Sequence, residues 1–251
     1  LIIVLNLWYS FDTLNIIRKL LPQMNGLKKI RVLHFVTGGF SGGATQVALG
    51  LVRAGMESND QEPMLVLRKK ARGDQRRVQE LKAAGVPLHQ VNNWTHLTTI
   101  WELAAFCRQF KPDVVLAHGF SEHLWGRYAA LLAKVPVVVQ VEHNTKERYT
   151  RWRLAQSRWL AQYTDKIVGC SEGVRLALLQ QGLPAEKCIA IPNGINLQPF
   201  AAEPPPWSSR LPKVLMVARI AKQKDHATLI AAIAKLRQQG IELPLTIVGK
   251  G

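Results

Sequence analysis

"IRVLHFVTGGFSGGATQVALGLVRAG", residues 30–55, changes its period at the centre. Residues 30–36 are a short, mostly apolar run, the pattern of a buried strand. Four glycines follow at once: Gly38, Gly39, Gly42 and Gly43. Over residues 44–54 the apolar positions recur at helical spacing. A strand, a glycine loop and a helix in that order open a βαβ unit.

The alternation continues outward from this stretch. Further strand-like runs cover residues 63–67, 86–91, 113–117, 136–141, 166–170 and 188–191. Helical patterns cover 75–84, 97–110, 123–133, 151–162 and 172–181. Strands rich in Val and Ile, separated by amphipathic helices, predict an α/β fold with a mostly parallel sheet. Right-handed crossovers then place helices on both faces. "FAAEPPPWSSRLP", residues 200–212, interrupts the rhythm with three consecutive prolines and reads as a linker. Beyond it the rhythm restarts as strand 213–218, helix 225–239 with Asp225 as its cap, and strand 243–248. The expected organisation is an N-terminal extension at 1–27, an α/β domain at 28–200, a linker at 201–212 and the start of a second domain at 213–251. Two strands and one helix bury little apolar surface, so that second domain is expected to be truncated.

The first residue is Leu, and the apolar run in residues 1–23 precedes "MNGLKKIRVLHFV". The run is too short to span a bilayer and lacks the flanks of a signal peptide. An interfacial anchor helix is one reading. A start at Met24, with the extension not native, is the expectation.

The chain has 251 residues, of which 47% are hydrophobic and 20% charged, a composition able to bury a core. Lys and Arg number 33 against 17 Asp and Glu, a formal charge of +16. That excess favours an anionic partner. The basic residues are dispersed, without an aromatic-interleaved block or zinc-finger spacing, so no nucleic-acid partner is expected. Cys107, Cys170 and Cys188 are odd in number and widely spaced, which fits a reducing cytoplasm better than a disulfide framework or a zinc site.

The glycine loop allows close backbone approach to a ligand, and the helix behind it offers free N–H groups to a phosphate. A plain β-to-α turn is the alternative. The spacing is not G-x-G-x-x-G. It approaches T-G-x-x-x-G-x-G, but Ala44 stands in the last glycine's place. The Tyr-x-x-x-Lys pair of short-chain dehydrogenases is also missing, since Tyr149 precedes Arg153 and Tyr163 precedes Ile167. A dehydrogenase is therefore not expected. His118 and His143 each fall just past the carboxyl end of a predicted strand, where open parallel sheets bind ligands. A histidine there can donate, accept or move a proton near neutral pH. His123 falls on the following helix and is assigned a structural role.

The series "GGFSGGATQ", "DVVLAHG", "VVVQVEHN", "DKIVGCSEGVRLALLQQGLPAEKCIAIPNGINLQPF", "KVLMVARIAKQKDHATLIAAIAKL" and "LTIVGKG" closely resembles the retaining GT-B glycosyltransferases of glycosyltransferase family 4. The resemblance runs from about Lys28 to Gly251. It implies two Rossmann-like domains, a nucleotide-diphosphate sugar as donor, and a glycan or lipid-linked acceptor. It implies no cofactor and no metal for transfer. Arg219 and Lys224 match the cations that hold the donor diphosphate, and Gly42 and Gly43 match the loop whose backbone approaches the donor phosphates or the acceptor. This chain has Thr45 where the family often has Glu. His143 matches the histidine beside the transferred sugar, and His118 is assigned to the acceptor side. The parent is thus expected to be a retaining hexosyltransferase of cell-surface polysaccharide or lipopolysaccharide synthesis. The family's Glu-x7-Glu element has no counterpart here, so the 251-residue chain is expected to be weak or inactive. The alternative is an inactive fragment or an acceptor-domain binding module.

"KERYTRWRLAQSRWL", residues 146–160, sets Arg148, Arg151 and Arg158 at helical spacing and Trp152 and Trp159 one heptad apart. A basic, tryptophan-bearing helix suits an anionic membrane surface. A core-packed helix with a basic rim is the alternative. The expected location is cytoplasmic, peripheral on the inner face of the cytoplasmic membrane.

Overall fold

Val-Val-Val-Gln-Val-Glu at residues 137–142 becomes a strand in which every residue is buried. Such a continuous run suits only a strand covered on both faces. In the computed structural model it lies near the middle of a seven-stranded parallel sheet. The structure describes residues 29–37, 39–40, 42–70, 74–119, 122–145, 149–195, 197 and 212–249. The N-terminal extension and nearly all of the proline linker lie outside the described residues. The strands are β1 (Ile30–Thr37), β2 (Gln61–Arg68), β3 (Leu88–Val91), β4 (Val114–His118), β5 (Val137–Glu142), β6 (Lys166–Gly169) and β7 (Cys188–Ala190). Their spatial order is β3-β2-β1-β4-β5-β6-β7, all neighbours parallel. The chain winds one way from β1 to β3 and the other way from β4 to β7. The switch point therefore lies between β1 and β4.

Six helices connect these strands: α1 (Gly43–Glu57), α2 (Gln75–Ala83), α3 (His96–Phe110), α4 (Glu122–Leu132), α5 (Arg151–Leu160) and α6 (Glu172–Gln180). Their starts are fixed by local chemistry. Asp74, Thr95, Thr150 and Ser171 each accept a hydrogen bond from a first-turn N–H, and Thr95 completes a capping box with Thr98. One sheet face packs Leu33, Phe35, Val115 and Val138 against α3 and α4. The other packs Val36, Leu65 and Leu67 against α1 and α2. On that second face, beyond α1, Val137, Val139, Val141 and Val168 form an apolar strip with Leu116.

The chain divides into two compact units, 1–195 and 196–251. In the second, β8 (Val214–Val217) pairs in parallel with β9 (Leu245–Val248), and α7 (His226–Gln238) connects them. Asp225 caps α7 through Thr228 N–H, as its position in the sequence predicts.

Candidate functional site

The first helix begins directly behind the glycine loop, at the switch point. Gly42 is its N-cap and has no side chain to satisfy the first-turn N–H groups. Among the described residues, a Cβ at Gly43 would meet nothing within 4 Å, and at Gly42 only the Gly39 carbonyl at 3.9 Å. Thr45 is fully buried, and its hydroxyl donates to the Thr37 carbonyl at 3.2 Å. It ties α1 to the end of β1.

His118 ends β4, and Gly119 turns the chain away with φ +75°. His143 follows β5 directly. Strand register brings both together with a third histidine. His34 pairs in register with Leu116, and His118 with Val141. Each histidine therefore stands two residues further along than the register partner of the one before it, and all three lie on the same face. Two residues span roughly 6.6 Å along a strand and one strand roughly 4.8 Å across it. The imidazoles meet along this diagonal. His34 Nδ1 lies 3.2 Å from His118 Nε2, and His118 Nδ1 lies 3.3 Å from His143 Nε2. The rings stack with centroids 5.4 and 5.6 Å apart. Burial lowers the His34 and His143 pKa values to about 4. Burial, with the neighbouring histidines, holds His118 well below the ordinary value. All three are neutral at pH 7. His143 Nδ1 is buried without a hydrogen-bond partner among the described residues.

A second buried chain anchors the same loop. Arg127, 1% exposed, donates through Nη2 to His123 Nδ1 at 2.9 Å. A guanidinium cannot accept, so His123 carries its proton on Nε2. His123 then donates to the Tyr149 hydroxyl, and Tyr149 donates to Glu142 Oε2 at 3.4 Å. Glu142 Oε1 accepts the His143 backbone N–H at 3.1 Å. Two neutral groups thus link a buried cation to a buried anion next to His143. The remaining Arg127 donors reach Ser157 Oγ at 2.9 Å and Thr164 Oγ1 at 3.2 Å. The helical, structural placing of His123 agrees with this geometry.

The sequence reading missed three features of this edge. Lys70 follows β2, and its ammonium lies so close to Gly39 that a Cβ there would be 2.7 Å from Nζ. Arg68, at the end of β2, ion-pairs with Glu122 at 3.6 Å and bonds His96 at 3.0 Å. Burial raises the Glu122 pKa, against the pull of its own backbone hydrogen bond, Arg68 and Lys70. His34 is the third, hidden inside an apolar run. Among the described residues no group of three or more His, Cys, Asp or Glu is arranged to hold a metal ion.

In the second unit Arg219 follows β8, and Lys224 ends the short helical turn Lys222–Lys224 before α7. Both are exposed, and neither enters an ion pair among the described residues. On the first unit Trp152 of α5 is 74% exposed and Trp159 is 44% exposed, so this helix is not core-packed through its tryptophans. Arg158 donates to the Gln181 carbonyl at 2.8 Å, and Arg148 lies outside the described residues. Trp94, Leu97 and Trp101, at and near the start of α3, are exposed as well. Among the described residues no helix is long and apolar enough to cross a membrane.

The profile of Glycosyltransferase Family 4 matches residues 41–199. A curated relative, "Putative glycosyltransferase EpsF" of Bacillus subtilis (strain 168), is 26% identical over 245 residues, which cover 91% of this chain. The chain spans 64% of that relative's length. Among solved structures, Anabaena Alr3699/HepE in complex with UDP and glucose aligns with a TM-score of 0.64 and 16% identity, over 88% of this chain and 70% of that one. A glycosyltransferase from Rickettsia africae ESF-5 aligns with a TM-score of 0.67 and 17% identity, over 88% and 61% of the two chains. At such identities the likeness shows the fold alone, and that fold is the α/β, GT-B type.

Proposed function

The chain belongs to glycosyltransferase family 4, and from that premise we propose that its parent protein moves a sugar from a nucleotide-diphosphate sugar to a glycan or lipid-linked acceptor. The match over residues 41–199 carries the reaction class. A UDP-sugar is the favoured donor, because the Anabaena neighbour holds UDP and glucose. Transfer is read as retaining and as hexosyl transfer, from the family resemblance, with cell-surface polysaccharide or lipopolysaccharide as the product. Arg219 and Lys224 are assigned to the donor diphosphate. Fixed cations stabilise the charge that builds on the departing nucleotide. The backbone N–H groups at Gly42 and Gly43 are assigned to the donor phosphates. Among the described residues no neighbour demands their lack of side chains, which supports a role in ligand approach. His143 is assigned to a hydroxyl of the transferred sugar; His118, fully buried and bonded to His143, is assigned to supporting it rather than to the acceptor contact that the resemblance implies. The protein is placed at the cytoplasmic face of the membrane, with the basic, tryptophan-bearing α5 toward anionic lipid.

The test is a transfer assay on an intact protein carrying this chain, with a panel of UDP- and GDP-sugars. His143→Ala is expected to lower turnover by about 10²-fold, the usual scale for a positioned proton donor or acceptor, with nucleotide affinity nearly unchanged. Arg219→Ala and Lys224→Ala are expected to weaken UDP binding. Unchanged turnover in the His143 variant removes its role. An absence of both nucleotide binding and transfer overturns the reaction class for this member.

A further inference from the structure

Each neutral imidazole has one N–H and one lone-pair nitrogen. That rule constrains three histidines joined nitrogen to nitrogen. If His118 carries its proton on Nδ1, it donates to His143 Nε2, so His143 must hold its own proton on Nδ1. His118 Nε2 is then an acceptor, and His34 must donate from Nδ1. If His118 carries its proton on Nε2, both neighbours must carry theirs on Nε2. No mixed arrangement makes both hydrogen bonds at 3.2 and 3.3 Å.

We propose that His34, His118 and His143 act as one tautomeric unit, in which His34 and His118 set which ring nitrogen of His143 carries the proton. The outer terminus of the unit is His143 Nδ1, buried and without a partner among the described residues. With all protons on Nδ1 it is a donor, and with all protons on Nε2 it is an acceptor. The choice at the outer end is inseparable from a choice made two strands away, at a side chain 4% exposed. A ligand hydroxyl that accepts from His143 selects the first state, and one that donates selects the second. Contrast His123, whose tautomer is fixed by a guanidinium. The two bonds that join the three histidines run between imidazoles alone, and either nitrogen of an imidazole can be the donor. His34 and His118 are positioning residues in this scheme. The identification of the ligand as a sugar hydroxyl rests on the proposed function; the coupling itself does not.

The chain has seven histidines, so selective ¹⁵N-histidine labelling of the full 251-residue protein gives a readable ring spectrum. Long-range ¹H–¹⁵N correlations at pH 7.5 report the tautomer of each ring. The expected result is the same tautomer at His34, His118 and His143. An opposite tautomer at any one of them overturns the proposal. In His34→Leu, His118 Nε2 loses its partner, and the His143 ring signals are expected to shift toward a mixture of tautomers. His34→Asn, which can donate or accept near the lost Nδ1, is expected to restore a single state. His143 signals unchanged in His34→Leu overturn the coupling. If the Leu variant does not fold, concordance in the unmodified chain decides alone. Coupling seen by resonance alongside an inert His143→Ala would sink the assigned sugar contact and leave the tautomeric unit intact.

Discussion

A histidine that must be neutral to fit its site makes stability depend on pH. His34 takes up a proton at its ordinary value of 6.5 when unfolded, but only near pH 4 when folded. Between those values the unfolded state binds more protons, so stability rises with pH across the window. The contribution is fully present above pH 6.5 and is lost as pH falls toward 4. The full shift corresponds to roughly 3 kcal/mol for His34. His143 moves in the same direction, for the same reason of burial. Thermal unfolding midpoints measured from pH 7.5 down to 4.5 are therefore expected to fall steeply below 6.5. His34→Asn is expected to flatten that slope, since an amide does not titrate there. A slope identical in both proteins would show that His34 charges as easily folded as unfolded. Arg127 answers the opposite demand. Burial lowers its pKa to about 10, still far above neutrality, so the cation must be compensated where it stands. Glu142 supplies the countercharge through His123 and Tyr149. Removing only one partner from such a buried set costs several kcal/mol, because the other charge stays buried.

Helix α4 shows how one element fixes the site. Gly126 lets it press onto the sheet on the face opposite His34 and His118. A Cβ at Gly126 would lie 2.7 Å from the Ala117 Cβ and 2.9 Å from Phe35 Cδ1, and neither atom is the far end of a flexible chain. Gly126→Ala should therefore push α4 off β1 and β4, at the roughly 1–3 kcal/mol that overpacking costs, offset by up to about 1 kcal/mol of helix propensity. Gly50 is exposed in α1, and among the described residues a Cβ there would meet nothing within 4 Å, so it carries no such clash. Gly50→Ala should stabilise by about 0.5–1 kcal/mol. Chemical denaturation of the two variants checks both signs, and a stabilising Gly126→Ala would refute the tight approach. Elements of this kind are legible in the sequence, because buried parallel strands and amphipathic helices leave different periods. The strand predicted from residue 86 begins at Leu88, since Val86 packs against α1 and α2 before the ladder starts. The histidine diagonal is only half legible. His118 is the last residue of its strand and His143 follows the next one, and position alone marks them. His34 sits inside an apolar strand, and only the β1–β4 register reveals that it faces His118. Lys70 and Arg127 escape a sequence reading because Gly39 and Ser157, which they meet, lie 30 or more residues away and are brought near by packing rather than by spacing.

At the scale of the whole molecule, charge and exposed aromatic surface point the same way. The formal charge is +16, and Trp152, Trp159 and Tyr163 stand out around α5 while Trp94 and Trp101 stand out at α3. Both helices pack on α4, so these side chains belong to one helical layer. Tryptophans suit the headgroup region of a bilayer, and basic residues are drawn to anionic lipid within about a Debye length. That length is roughly 10 Å at 0.1 M salt and 3 Å at 1 M. If α5 meets the membrane as proposed, the protein should float with phosphatidylglycerol vesicles at 0.1 M salt and much less with phosphatidylcholine vesicles. Raising the salt to 1 M should release most of it. Trp152→Ala removes apolar insertion but not charge, so it should weaken flotation at both salt concentrations. Arg151→Ala should act chiefly at low salt. Trp152 is exposed and belongs to none of the core clusters formed by the described residues, so its loss should leave the unfolding midpoint nearly unchanged and keep the comparison clean. Binding that ignores lipid charge and salt would reassign this aromatic layer to a different partner. Binding that follows both would place the open edge of the sheet, with its glycine loop and histidines, on a molecule held at an anionic surface.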